Sequence, residues 1–97
     1  MWKKQTQQND RYNLHHSLNG FHTNVVTSLI QLENEDLVSG CKDCTINIFS
    51  YDSVRDEFQL RQTLNQHSYT IWDLINISNG LFASGSEDGS IRLFRLG

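Results

Sequence analysis

The sequence contains little sulfur, little positive charge and no long hydrophobic run, and each of these shortages excludes a class of protein. No segment approaches the ~20 consecutive apolar residues of a membrane-spanning helix, and polar residues follow Lys3 and Lys4 where a signal peptide would be apolar. Two cysteines are too few for a disulfide framework. We therefore expect an intracellular protein, cytoplasmic or nuclear, that does not associate with membranes.

Basic side chains are outnumbered by acidic ones. Eight basic and eleven acidic residues give a formal net charge of −3, so the chain has no basic field with which to release counterions from phosphates. Nucleic acid is not an expected partner. A length of 97 residues allows one small domain, and an aromatic share of 10% indicates that the chain packs a core.

The pattern of residues favours an all-β fold. Polar residues 1–11 are expected to be a flexible tail, and from residue 12 short segments rich in Val, Ile, Leu, Thr and Phe alternate with turn-forming clusters. These segments are too short and too close together for helices. The predicted strands are Tyr12–Leu18, Val25–Leu32, Leu37–Cys41, Thr45–Ser50, Phe58–Leu64, Ile71–Ile77, Leu81–Ser86 and Ser90–Arg95.

An internal repeat is the strongest signal in the sequence. When the chain is compared with itself at an offset of 45 residues, nine identities fall in the 28 positions from His22 to Phe49, without a gap. Average residue usage would give roughly two. The identities include a His, a Ser-Gly pair, an Asp four residues after the Ser, and a Phe six residues after the Asp.

These two segments resemble the repeats of the WD-repeat β-propeller family, whose period is similar. The resemblance implies two four-stranded antiparallel blades within residues 12–97, at about 18–57 and 58–97. It also implies a non-enzymatic scaffold that binds other proteins and needs no cofactor. Counting strands from Tyr12, the chain begins with an outer strand, and the second blade lacks its own outermost strand.

The resemblance assigns two sets of hydrogen-bonded side chains to the blades. In the family, a buried His is held between a turn Asp and a strand Ser, and the matching residues are His22, Ser39 and Asp43, then His67, Ser84 and Asp88. Where the family often has a Trp that bonds the Ser, this chain has Phe, which predicts three-membered networks. Because the same set recurs once per blade, we interpret it as structural and expect no catalytic residue.

The same resemblance predicts a partner-binding face. The positions three and five after each His, together with the one before each turn Asp, are Val25, Thr27, Lys42, Thr70, Trp72 and Glu87. Trp72 is the strongest candidate, because aromatic side chains dominate interface hot spots. The alternative is that Trp72 belongs to the core between blades.

Cys41 and Cys44 form a C-x-x-C pair, which suggests half of a zinc site completed by His15, His16 or His22. At the 45-residue offset, the same positions hold Ser86 and Gly89, so the scaffold does not need sulfur there. We expect neither a metal nor a redox role.

Two blades are fewer than the ~4–8 that close a propeller. One explanation is that the chain is an arc of a longer propeller and acts as part of its binding scaffold. The other is self-assembly, in which the strand predicted at Tyr12–Leu18 completes the second blade of a neighbouring copy and three or four chains close the ring.

Overall fold

The protein is described here by a computed structural model of residues 11–96, so almost all of the predicted tail lies outside the described residues. This part of the chain forms seven β-strands and no helix, which confirms the all-β prediction. It accordingly has no helix able to span a membrane. The strands are β1 (Val26–Gln31), β2 (Leu37–Cys41), β3 (Ile46–Asp52), β4 (Glu57–Leu64), β5 (Ile71–Ser78), β6 (Leu81–Ser86) and β7 (Ile91–Arg95).

The strands form two antiparallel sheets in which neighbours along the chain are also neighbours in space. The first sheet has the order β1-β2-β3-β4 and the second has the order β5-β6-β7. Short hairpins join the strands, and the tightest of them uses Asn79 and Gly80, both with positive φ. Asn-Gly at these two positions is typical of the turn whose twist matches that of the paired strands.

The strand predicted over Tyr12–Leu18 is wrong for this chain. Residues 12–18 are assigned to no strand, and the side chains of Tyr12 and Leu14 are exposed. A strand needs a hydrogen-bonding partner, and neither described sheet pairs with this segment. The second sheet accordingly has three strands, as the strand count from the sequence predicted.

The boundary between the sheets does not coincide with the expected repeat boundary near residue 57. Strand β4, which begins at Glu57, pairs with β3 and completes the first sheet. The second sequence repeat therefore begins with the outer strand of the first sheet.

A single hydrophobic cluster joins the two sheets. On the first sheet it is built from Leu32, Val38 and Ile46, with Ile30, Ile48 and Leu64 packed against it. On the second sheet the cluster consists of Ile71, Leu74 and Phe82, with Phe94 packed against them. The middle strands β2 and β6 are mostly buried, as expected for the central strands of stacked sheets.

Candidate protein-interaction face and its supporting network

The turns that follow the middle strands lie beside the segments that enter each sheet. The backbone amide of Lys42 donates to the carbonyl of Val25 at 2.9 Å, and that of Glu87 donates to Thr70 at 2.9 Å. We call this edge the upper face. It consists of residues 22–27 and 41–45 in the first sheet and residues 67–72 and 86–90 in the second.

Four of the six predicted partner-binding side chains are exposed on the upper face. Val25 is 57% exposed and Trp72 is 53% exposed, and Lys42 and Glu87 are also exposed. In this chain Trp72 is thus a surface residue.

The two predicted threonines are less available. Thr70 is buried, so its side chain is not presented to a partner. Thr27 is half-buried, and its hydroxyl donates to the carbonyls of Gly40 and Ile71. The bond to Ile71 links the first sheet to the second, so Thr27 contributes to the contact between blades.

The first polar set is assembled behind the upper face. His22 Nδ1 lies 3.1 Å from Asp43 Oδ2, and His22 Nε2 lies 2.7 Å from Ser39 Oγ. In this geometry Nδ1–H can donate to the carboxylate while Nε2 accepts from the serine hydroxyl. Asp43 also accepts from the backbone amides of Thr23 and Thr45, so one carboxylate ties the entering segment to the β2–β3 turn.

The second set has the same arrangement. His67 Nδ1 lies 2.9 Å from Asp88 Oδ2, and His67 Nε2 lies 2.6 Å from Ser84 Oγ. The amides of Ser68 and Ser90 donate to Asp88. Both sets are almost shielded from solvent, with the His67 side chain only 1% exposed.

Each network has a fourth member that the sequence analysis missed. The hydroxyls of Thr45 and Ser90 donate hydrogen bonds to Asp43 and Asp88, the same carboxylates that accept from the backbone amides of Thr45 and Ser90. The two residues are 45 positions apart and each follows its Asp by two, which is the spacing of a side chain-capped turn. In the first sheet, Asn47 is a further neighbour, with Nδ2 donating to Phe21 O and lying 3.4 Å from His22 Nε2.

These hydrogen bonds keep both aspartates ionised. Partial burial alone would raise the pKa of Asp43, but the bonds donated by Thr45, Thr23 and His22 together hold it well below its usual range. The Ser90 hydroxyl is the largest influence on the pKa of Asp88, which is lowered in the same direction.

The cysteine pair does not come together with a histidine as the alternative of a zinc site would require. Cys41, His22 and Asp43 offer ligand atoms within 4.8 Å of one another, whereas Cys44 does not join this group. Burial raises the pKa of the Cys41 thiol, which disfavours the thiolate that zinc binds. Cys41 Sγ instead accepts the Asp43 amide at 3.2 Å, the same bond that Ser86 Oγ makes with Asp88 at 3.1 Å.

The polar sets are poorly placed for catalysis. Ser39 and Ser84 are 4% and 1% exposed, so a substrate could not reach either hydroxyl. Each hydroxyl is also committed to a histidine whose other nitrogen is bonded to an aspartate. The arrangement can brace a turn against a loop, and its chemistry is that of a hydrogen-bonded support.

Two meandering antiparallel sheets, stacked face to face and each braced by a His-Ser-Asp network, define propeller-type blades. The WD40 family, "WD domain, G-beta repeat", matches residues 13–50 and 58–95. The chain therefore belongs to the WD40 family, and the resemblance noted in its sequence is confirmed.

A curated relative and a solved structure are similar to this chain. Cell division control protein 4 of Saccharomyces cerevisiae (strain ATCC 204508 / S288c) is 33% identical over 78 residues, which cover 80% of this chain and 9% of the relative. The crystal structure of the computationally designed Ika4 protein has a TM-score of 0.64 and 30% identity, covering 84% of this chain and 46% of that one. The chain thus spans under half the length of either protein.

Proposed function

We propose that this chain is a non-enzymatic platform that binds other proteins through the upper face of its two blades. WD repeats are protein-interaction modules, and the family membership supports this class of function. The observation that carries the proposal is the exposure of Trp72 near the β6–β7 turn, where the amide of Glu87 donates to the carbonyl of Thr70 and the second network holds the turn in place. A rigid exposed indole provides a large contact area with little loss of conformational entropy on binding.

The charge and the polar sets support a protein partner over other classes. A net charge of −3 disfavours nucleic acid, and the upper face mixes a basic residue, Lys42, with an acidic one, Glu87. A repeated, buried His-Ser-Asp set supports a non-enzymatic role. Both cysteines are free thiols, which fits the reducing interior of a cell, and we place the protein there.

The experiment compares proteins captured from cell extract by the wild-type chain and by Trp72→Ala. We expect the variant to lose specific partners while its melting temperature stays within a few degrees, because the indole is half exposed. Val54→Ala, at the 92% exposed tip of the β3–β4 hairpin, is the control and keeps every partner. An unchanged set of partners for Trp72→Ala, or a collapse of its stability, would contradict this role.

A second candidate is self-assembly by strand exchange. Strand β7 has β6 on one side and no described strand on the other, so its free edge can accept a strand. Residues 12–19 are equivalent to β4 at the 45-residue offset, and most of their side chains are exposed. In this candidate, residues 12–19 of one copy pair with β7 of the next, as β4 pairs with β3.

A further inference from the structure

The contact between the two blades uses different faces of equivalent sheets. The first sheet contributes Ile30, Val38, Ile46 and Ile48, and the second contributes Leu74, Phe82 and Phe94. Each of these residues has an equivalent in the other sheet, 45 positions away along the chain. The equivalents lie on the face of each sheet that points away from the blade contact. We call these two surfaces the open faces. The first open face consists of Val26, Leu29 and Leu37, and the second consists of Ile75, Ala83, Ile91 and Leu93. The remaining equivalent, Phe49, is 3% exposed and packs against Phe21.

Several residues of the open faces are much more exposed than their equivalents in the blade contact. Ile91 is 75% exposed, whereas its equivalent Ile46 is 1% exposed. Leu29 is 59% exposed, whereas Leu74 is 3% exposed. The apolar character recurs in both repeats, although five of these apolar side chains are exposed in this chain: Val26, Leu29, Ile75, Ile91 and Leu93. Such surfaces mark contacts with another macromolecule.

Gly85, on the second open face, has empty space above its Cα that a partner molecule could fill. A Cβ added at Gly40 would lie 2.7 Å from the Ile71 side chain, so glycine is required where the blades touch. The equivalent residue, Gly85, has nothing within 4 Å of such a Cβ, and its φ is not in the left-handed region. Nothing in the fold of this chain requires glycine there, but a second blade contact would.

From this equivalence we infer that the second open face of one copy packs on the first open face of another copy, reproducing the internal blade contact between molecules. This inference rests on the second candidate function and names the surface that it would use. In this arrangement Val26 of the neighbour takes the place of Ile71 and lies against Gly85, while Leu29 of the neighbour covers Ile75 and Leu93. Because the two faces differ, the contact is head-to-tail and each copy retains one free face until a ring closes.

A polar bond of the internal contact can also be repeated. Asn76 Nδ2 on the second sheet donates to the carbonyl of Gln31 on the first sheet at 3.3 Å. The two residues are themselves equivalent at the 45-residue offset. In the contact between copies, the Gln31 side chain of the neighbour supplies an amide donor for the carbonyl of Asn76.

The test uses light scattering of the full chain over a range of concentrations, with one charged substitution on each open face. We expect the wild type to reach a whole-number multiple of the chain mass, two to four copies. Leu29→Asp and Ile91→Asp each weaken association about tenfold or more, because a carboxylate would be buried without a partner. Both positions are exposed within one chain, so the far-UV spectrum stays unchanged.

Mixing the two variants separates a head-to-tail contact from any other. Leu29→Asp keeps the second face and Ile91→Asp keeps the first, so a mixture forms a 1:1 pair of twice the chain mass that cannot grow. Gly85→Val blocks the contact by bulk alone, and Val54→Asp, on the β3–β4 hairpin, is the matched control that assembles like the wild type.

Three results would overturn the inference. A wild-type chain that is monomeric at every concentration overturns the inference together with self-assembly. If only substitutions within residues 12–19 prevent association and the face variants assemble normally, strand exchange stands and the face contact fails. Tight binding of a monomeric chain to a separate WD40 protein through the same faces would show that another blade, and not a second copy, is the occupant.

Discussion

The His67 imidazole shows what a single buried side chain contributes to this protein. The substitution Ser84→Ala removes the hydroxyl that is bonded to His67 Nε2. This nitrogen is then left without a hydrogen-bond partner in a site that water does not reach. We expect the free energy of unfolding to fall by about 1–3 kcal/mol, measured by urea denaturation. Ser68→Ala is the control, because Ser68 is exposed and bonds Asp88 only through its backbone amide. Equal stabilities of the two variants would contradict the role of the network.

The resemblance to the WD-repeat family assigned six residues of the two networks, and all six are identities of the internal repeat. Thr45 and Ser90 were missed, since different side chains occupy the repeated position and an identity comparison does not register a shared hydroxyl. Whether Trp72 lies on the surface or in the core could not be predicted, because the answer depends on which face of β5 the neighbouring sheet covers. That information is held in packing between residues distant in sequence.

The β2–β3 turn carries local strain that the β6–β7 turn avoids. Cys44 has φ 75°, whereas its equivalent Gly89 adopts φ 86° without steric cost. We expect Cys44→Gly to stabilise the protein by up to about 1 kcal/mol, since an L-residue costs roughly 1–2 kcal/mol in this region and glycine has a greater entropy cost on folding. Thermal unfolding measures the change.

The reciprocal substitution tests the same turn from the other side. Gly89→Ala should lower the melting temperature, because a Cβ is introduced at a left-handed position with open space around it. If Cys44→Gly instead destabilises the protein, the Cys44 thiol makes a contribution that the turn geometry does not account for. A zinc or thiol role would then deserve direct measurement of metal content.

At the level of strands, the succession of short segments rich in Val, Ile, Leu, Thr and Phe and of turn-forming clusters predicted all seven observed strands. The predicted bounds lie within two residues of the observed ones at each end. The error at Tyr12–Leu18 has a clear cause. Its side-chain pattern suits a strand, but a strand exists only if a sheet edge accepts its backbone hydrogen bonds. The pattern indicates what a segment can form, and the partner decides whether it does.

For the whole molecule, the two ionised aspartates predict sensitivity to acid. Their pKa values are lower in the folded protein than the ordinary 3.8, so their stabilising effect is complete above about pH 5 and is lost as the pH falls through the folded values. We expect the urea midpoint to fall steeply below pH 4. The Asp43→Asn/Asp88→Asn variant should start from lower stability and show a flatter pH dependence over that range. A wild-type midpoint independent of pH between 5 and 2 would contradict this expectation.

The family resemblance of the two repeats implied the stacked architecture, but not the pairing of faces. The repeat shows that both blades carry the same two apolar surfaces, and only the structure shows which of them meet. Stability in such an array is approximately a sum of blade terms and nearest-neighbour contact terms. A chain with one internal contact therefore has a single coupling term between its blades.

Strand β7 carries Arg92 and Arg95, both exposed, within only five residues at the free edge of its sheet. Two such edges that approached each other would bring four guanidinium groups into one short ribbon. Their repulsion discourages edge-to-edge fusion of like strands, a route to amyloid-like aggregates, while leaving the edge open to a strand without positive charge. High salt would screen that repulsion, so the protein should be most prone to aggregation in concentrated salt solutions.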